Sequence, residues 1–294
     1  MRKLAVCIGV NDYPGTDRDL AGCVNDVKDW QAALSARGFE TETLLDRRAK
    51  KAAICAAIAR LLAAAAAGDL VVVQYSGHGS YIPDEDGDED DGFDEVLCPW
   101  DIEQGNPLSD DELDALFARR RAGVRVVMIA DCCHSGTVAR VESDRPPRLN
   151  GARAPKARFM PPAVFMPAAA RVKRRAAPPR AAEANALLLA ACQDDEFSFE
   201  TWLGDRPNGV FTRVALAALA ALPESATYRD WYRAIRKRLP SRKHPQTPNL
   251  FGAAEQTAWR VLAWTSGPPH AAGGTRLAAR GWPRAIRRAR SAVR

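Results

Sequence analysis

The chain has 294 residues, 47% of them apolar and 27% charged, enough to bury the core of one large α/β domain or two smaller ones. No apolar run reaches the roughly 20 residues that a bilayer crossing requires, and the seven cysteines sit mostly inside apolar runs without framework spacing, which excludes a disulfide scaffold and points to a reduced, cytoplasmic protein. The net charge of +6 is no mark of a nucleic-acid binder: residues 140–180 carry 11 Lys/Arg against 2 acids and residues 265–294 carry 7 Arg and no acid, which leaves the rest of the chain at −10, and neither basic segment interleaves aromatics with base-reading residues.

The run LAVCIGV (4–10) opens the chain. It follows two basic residues but stops at Asn11-Asp12 without a small-residue cleavage site, so it reads as a first core strand rather than a signal peptide. Cys23, Val27, Trp30 and Leu34 then recur at helical spacing up to Gly38, a C-terminal stop. FETETLL (39–45) predicts a second strand, Lys50 to Ala66 a second helix ending at Gly68, and DLVVVQYS (69–76) a third strand. A short helix over Asp110 to Arg119 precedes a fourth strand, VRVVMIAD (124–131). A fifth strand lies in ANALLLAACQ (184–193), followed by helices at Gly209 to Leu222 and Thr227 to Leu239. Strands alternating with helices predict an α/β fold with a mainly parallel central sheet flanked by helices. Residues 141–183 are rich in Pro, Ala and Arg with no apolar period and read as a linker or loop, and residues 265–294 read as a flexible basic tail.

The third and fourth strands are nearly unbroken apolar runs, as central parallel strands covered on both faces are. Open α/β sheets bind ligands beyond the C-terminal ends of such strands. Tyr75-Ser76-Gly77-His78-Gly79 follows the third and Asp131-Cys132-Cys133-His134-Ser135-Gly136 the fourth. A thiol with a histidine base and nearby backbone N–H donors is the equipment of a cysteine nucleophile. His78 and Cys133 lie 55 positions apart, yet adjacent parallel strands bring their ends together. Glycines on both sides of His78 let backbone approach a substrate, and the N–H groups of Gly79 and Cys133 are natural oxyanion donors. Zinc at Cys132, Cys133 and His134 is disfavoured, because three consecutive side chains do not converge on one tetrahedral ion.

On these motifs the sequence resembles the caspase-fold peptidases and, among them, the metacaspases. Further matches are Gly22-Cys23-Val24-Asn25-Asp26, Ala191-Cys192-Gln193, Gly209-Val210-Phe211-Thr212 and Gln246-Thr247-Pro248-Asn249-Leu250, so the resemblance spans roughly residues 3–263. It implies a caspase-like fold divided into a large-subunit-like part (1–140), the basic linker (141–183), a small-subunit-like part of the same domain (184–264) and the tail (265–294). No pro-domain precedes the match, so it implies a short, monomeric form. Cys133 becomes the nucleophile and His78 the general acid/base, with Cys132 where the family usually has serine. Cys23, Asp26, Ser76 and Asp131 become the pocket for the side chain before the scissile bond. Two carboxylates there select Arg or Lys, since a guanidinium can pair with them bidentately while an acidic side chain would meet like charge. The partners implied are protein or peptide substrates with Arg or Lys, with no specific nucleic acid and no membrane.

From Asp84 to Asp114 there are 15 Asp/Glu and no Lys or Arg, a density of oxygen ligands that suits Ca²⁺. Asp84, Asp86, Asp88 and Glu95 fall at EF-hand positions, but Glu89 stands where that loop needs glycine. The resemblance instead places calcium ligands at Asp94, Asp110 and Asp111, with Arg140 at the position of a fourth acid, where a cation opposes metal binding. No cofactor is needed for the chemistry; Ca²⁺ is an activator in this reading. The linker offers an Arg/Lys-specific peptidase its own targets at Arg158 and Arg171 to Arg175, which predicts self-cleavage. The rival reading is a catalytically silent, caspase-fold binding module that responds to calcium.

Overall fold

The computed structural model describes residues 1–83, 92–133, 155–167, 185–193 and 196–263. In chain order the first half runs β1 (Lys3–Gly9), α1 (Cys23–Ser35), β2 (Glu40–Leu45), α2 (Lys51–Ala64), β3 (Leu70–Ser76), β4 (Gly79–Pro83), β5 (Phe93–Leu97), β6 (Leu108–Ser109), α3 (Asp110–Phe117) and β7 (Arg125–Asp131). The rest runs β8 (Lys156–Ala157), β9 (Leu187–Ala190), β10 (Phe199–Leu203), β11 (Arg206–Gly209), α4 (Val210–Ala220), α5 (Tyr228–Arg236), β12 (Asn249–Phe251) and α6 (Ala254–Thr257). The central sheet has the order β12-β9-β7-β3-β1-β2, parallel throughout except for β12, which runs antiparallel to β9. Strands from both halves of the chain therefore complete one sheet, as the α/β reading requires.

Side-chain alternation along β1, β3 and β7 splits the core into two layers. Leu4, Val6, Ile8, Val71, Val73, Val126 and Met128 face Ile54, Ile58 and Leu62 of α2 and Leu113 and Phe117 of α3. Ala5, Cys7, Val72, Val127 and Ile129 face Val27, Trp30 and Leu34 of α1, Phe211 and Ala215 of α4, and Trp231 and Ile235 of α5. Each large apolar side chain so buried contributes about 1.5–3 kcal/mol. Trp231 keeps its indole N–H satisfied by donating to the Ala215 carbonyl at 2.8 Å. Capping boxes at Ser109/Glu112 and Thr227/Asp230 start α3 and α5, each cap stabilising its helix by about 1 kcal/mol.

Two small antiparallel sheets, β4-β5-β6 and β11-β10-β8, lie outside the central one; the sequence reading did not anticipate them. The linker reading also needs revision over residues 155–167. That stretch contributes β8 to the second small sheet, pairing with β10 through Phe199↔Ala157 and Glu200↔Lys156, and a 3-10 turn at Pro162–Val164. No helix among the described residues is long and apolar enough to cross a membrane.

Candidate active site

The parallel register puts Gly9, Ser76 and Asp131 side by side at the C-terminal edge of β1, β3 and β7. His78 follows β3 by two residues and Cys133 follows β7 by two, so the sheet brings both reactive side chains to one edge. Gly79 shows how tightly: a Cβ on it would lie 1.8 Å from the Cys133 carbonyl oxygen, so only glycine fits.

Two tyrosines fix the His78 peptide. Its N–H donates to the Tyr13 hydroxyl at 2.7 Å, and the Tyr75 hydroxyl donates to its carbonyl at 2.8 Å. The Tyr13 ring also packs on the imidazole at 4.8 Å between centroids. Nε2 of His78 bonds the Arg18 carbonyl at 2.7 Å, which makes Nε2 the protonated nitrogen and leaves Nδ1, buried and without a hydrogen bond among the described residues, as the basic one. Burial lowers the pKa of His78 to about 4, outweighing the Arg18 carbonyl that favours the imidazolium. The neutral form is therefore the resting one. Cys133 Sγ is held by the Ser198 backbone, accepting from its N–H at 3.1 Å and lying 3.6 Å from its carbonyl oxygen.

The cleft is filled by the chain's own Arg158, whose side chain has 0% exposure. Its guanidinium Nη2 pairs with Asp26 Oδ2 at 2.6 Å and lies 3.7 Å from Glu200 Oε2, while Nη1 pairs with Asp131 Oδ1 at 3.1 Å and donates to the Asp131 carbonyl at 3.0 Å. Its backbone carbonyl accepts from the N–H groups of Gly79 at 3.0 Å and Cys133 at 3.2 Å, the two donors read from the sequence. Its own N–H donates to the Ser198 carbonyl at 2.8 Å. One residue thus occupies the expected side-chain pocket and the expected oxyanion position together.

The pocket carboxylates are buried and anchored, as desolvated charges must be. Asp131 accepts from the Ser198 hydroxyl at 2.8 Å and from the Thr212 N–H and hydroxyl at 3.0 and 2.7 Å. Asp26 accepts from the Asn208 amide at 3.0 Å and the Gly209 N–H at 2.9 Å. Gly209 is a second enforced glycine, since a Cβ there would sit 2.1 Å from Asp131 Oδ2. Burial pushes Asp26 up to about 6 against the pull of the guanidinium, and the negative charge of Asp131 adds to the rise. Three carboxylates hold the pKa of Arg158 well above its ordinary value despite its burial.

Of the four expected pocket residues, Asp26 and Asp131 touch the guanidinium. Cys23 is buried one helical turn before Asp26. Ser76 is buried beside Asp131 and accepts from the Gln74 amide at 2.9 Å. Sequence reasoning missed Glu200, which accepts from the Ala21 and Gly22 N–H groups, both at 2.9 Å, and so ties the start of α1 to the pocket. It also missed Ser198, Tyr13 and Asn208. None carried a local signal: Glu200 is one acid in the strand FETWL.

Asp94 lies on β5 and Asp110 and Asp111 open α3, which the β5-β6 pairing brings near one another. Asp94 and Asp110 are buried and Asp111 is exposed, and the described residues contain no group of three acids, cysteines or histidines able to hold a metal ion. Asp84, Asp86, Asp88, Glu89, His134, Ser135, Gly136, Arg140, Arg171 to Arg175 and the tail lie outside the described residues.

Residues 3–142 match the model of the metacaspase peptidase C14 domain. Over those residues, a little under half of its length, the chain carries a metacaspase-family domain. It is 41% identical to Metacaspase-1 of Cryptococcus neoformans over 147 residues, 46% of this chain and 32% of that protein. Metacaspase-4 of Arabidopsis thaliana is 42% identical over 146 residues, 46% of this chain and 34% of that protein. The aligned part of the chain thus spans about a third of the length of the curated relatives it matches. A crystal structure of protein GSU0716 from Geobacter sulfurreducens is similar over 90% of this chain and 99% of that one, at 31% identity and a TM-score of 0.69. The caspase-1 structure from Spodoptera frugiperda superposes over 85% of this chain and 86% of its own with a TM-score of 0.55 and 14% identity, which establishes the caspase-like fold.

Proposed function

We propose that this chain is a cysteine endopeptidase that cuts after Arg or Lys and that the Arg158–Phe159 bond of its own chain is its first substrate. The observation that carries the reading is Arg158, with its guanidinium between Asp26 and Asp131 and its carbonyl oxygen on the N–H groups of Gly79 and Cys133. His78 Nδ1 takes the Cys133 proton, for which Sγ gives up its contact with the Ser198 carbonyl. The sulfur bonds to the carbonyl carbon, and the oxyanion gathers charge against two N–H donors already in place. His78 returns the proton to the leaving amine, which departs as the N-terminus of Phe159. Water, deprotonated by the same histidine, then splits the thioester. Arg is favoured over Lys because two separate nitrogens meet two separate carboxylates, whereas an ammonium is a single point.

Calcium activation belongs to this proposal through family resemblance, and no step above passes through a cation. The decisive test incubates the purified chain with calcium or with chelator and sequences new N-termini. A terminus beginning Phe159-Met160, lost in Cys133→Ala and retained in Cys132→Ala, is the expected result. A Cys133→Ala chain that still cleaves itself, or one that hydrolyses Arg reporter peptides as well as the wild type, refutes the assignment.

A further inference from the structure

The residues after the scissile bond are as firmly placed as the arginine before it. Gly79 donates its N–H to the Arg158 carbonyl and accepts from the Met160 N–H, both at 3.0 Å, so one glycine brackets Phe159 in a parallel bridge. This fixes register: any residue whose preceding carbonyl reaches the oxyanion donors presents its side chain where Phe159 now lies. That place has aromatic walls. The Tyr81 ring of β4 stacks on Phe159 at 6.2 Å with the planes 17° apart, and Phe197 packs on it at 5.8 Å and 58°. Each wall is braced by another aromatic, Tyr81 by Phe93 at 5.0 Å and Phe197 by Phe199 at 6.4 Å. The walls come from elements 116 positions apart, Tyr81 and Phe197, and meet only across the cleft.

We infer that Tyr81 and Phe197 form a subsite for the residue following the scissile bond and that it selects an aromatic side chain, so that the substrates taken from other chains carry an Arg–aromatic junction. The inference rests on the peptidase reading above and deepens it. An aromatic side chain between two rings gains stacking and edge contacts beyond its buried area, whereas a serine or aspartate would leave both faces wet or desolvate itself between them. Stacking of this kind separates aromatic from polar residues by about tenfold in kcat/KM.

The test uses the full wild-type chain, self-processed beforehand, with internally quenched peptides Lys-Ala-Arg-Xaa-Met in which Xaa is Phe, Ser or Asp, alongside an Arg-aminocoumarin reporter that has no residue after the bond. Phe exceeding Ser by about tenfold is expected, with the Phe/Ser ratio falling toward one in Tyr81→Ala and in Phe197→Ala. The ratio is internal to each variant, so a loss of folded protein cannot imitate the result. Equal rates for Phe and Ser together with hydrolysis of the reporter overturn the subsite and leave the peptidase standing. No hydrolysis of any peptide or of the reporter overturns both.

Discussion

The two sides of the Arg158–Phe159 bond are held by opposite physics. Before the bond, a single guanidinium is wholly desolvated among Asp26, Asp131 and Glu200, each anchored by further hydrogen bonds. After it, Phe159 is half-buried against ring faces, and Met160 is buried in the main core. A buried charge pair tolerates no partial loss, because removing one partner strands the other in a medium that cannot solvate it. Apolar contact is graded, each lost face removing its own share. Recognition before the bond should therefore be close to all-or-none, and recognition after it a matter of degree.

Asp131→Asn makes the strongest attempt to break that contrast. Breaking a buried ion pair costs about 3–5 kcal/mol, so kcat/KM on Arg reporters is expected to fall by about two to three orders of magnitude. Asn keeps the shape and can still accept from Thr212, so measuring thermal unfolding of the same variant separates lost binding from lost folding. A loss below about tenfold would mean that the charge is solvated and the contrast drawn above is false. Arg158→Ala is next: no Phe159 N-terminus should form, while Arg158→Lys should still yield one more slowly. Cleavage of the Ala variant at the same bond, read by N-terminal sequencing, would show that the pocket does not govern the choice of bond.

A pH profile sharpens the comparison further. Asp26 binds a guanidinium only when ionised, and burial pushes its pKa up to about 6, so the proton is retained to higher pH than on an exposed aspartate. The rate of self-cleavage, in which that guanidinium is already docked, should therefore decline as pH falls through about 6. His78, lowered to about 4, is still neutral there and does not produce that limb. Asp26→Asn should remove the limb along with much of the activity, and a limb that stays at the same pH in that variant assigns it to another group.

Legibility in the sequence follows the same division between local and distant causes. The parallel strands could be read because LVVVQYS and VVMIAD are nearly unbroken apolar runs, and α1 because its stripe repeats at helical spacing. His78, Gly79 and Cys133 could be singled out because reactive residues beside glycines at strand ends form short motifs, whereas Asp26, inside α1, and Asp131 entered as pocket residues only through the family resemblance. Arg158 could be named as a self-cleavage target beside Arg171 to Arg175, but its docking in the pocket could not be read. It stands among 11 basic residues between 140 and 180, and what singles it out are carboxylates 132 and 27 positions away. The two-residue strand β8 has no period at all, and the five-residue β4 and β5 were hidden beside the acidic run. Tyr13 and Glu200 act through contacts with residues 65 and 178 positions away, which no window along the chain contains.

Phe159→Ala should have the smallest effect. The substitution leaves the bridge to Gly79 intact, since both of its hydrogen bonds belong to residues 158 and 160, and leaves the guanidinium pocket untouched. What goes is the contact with Tyr81 and Phe197, aromatic pairs that add about 0.5–1.5 kcal/mol each in buried settings and less for a ring that is half-exposed. Self-cleavage, followed as the rate of appearance of the new N-terminus, is expected to slow by about threefold to tenfold without stopping. Abolition would place Phe159 on the same footing as Arg158 and erase the distinction between charge and apolar recognition, while an unchanged rate would remove the ring from the energetics of docking and leave the arginine alone to position the bond.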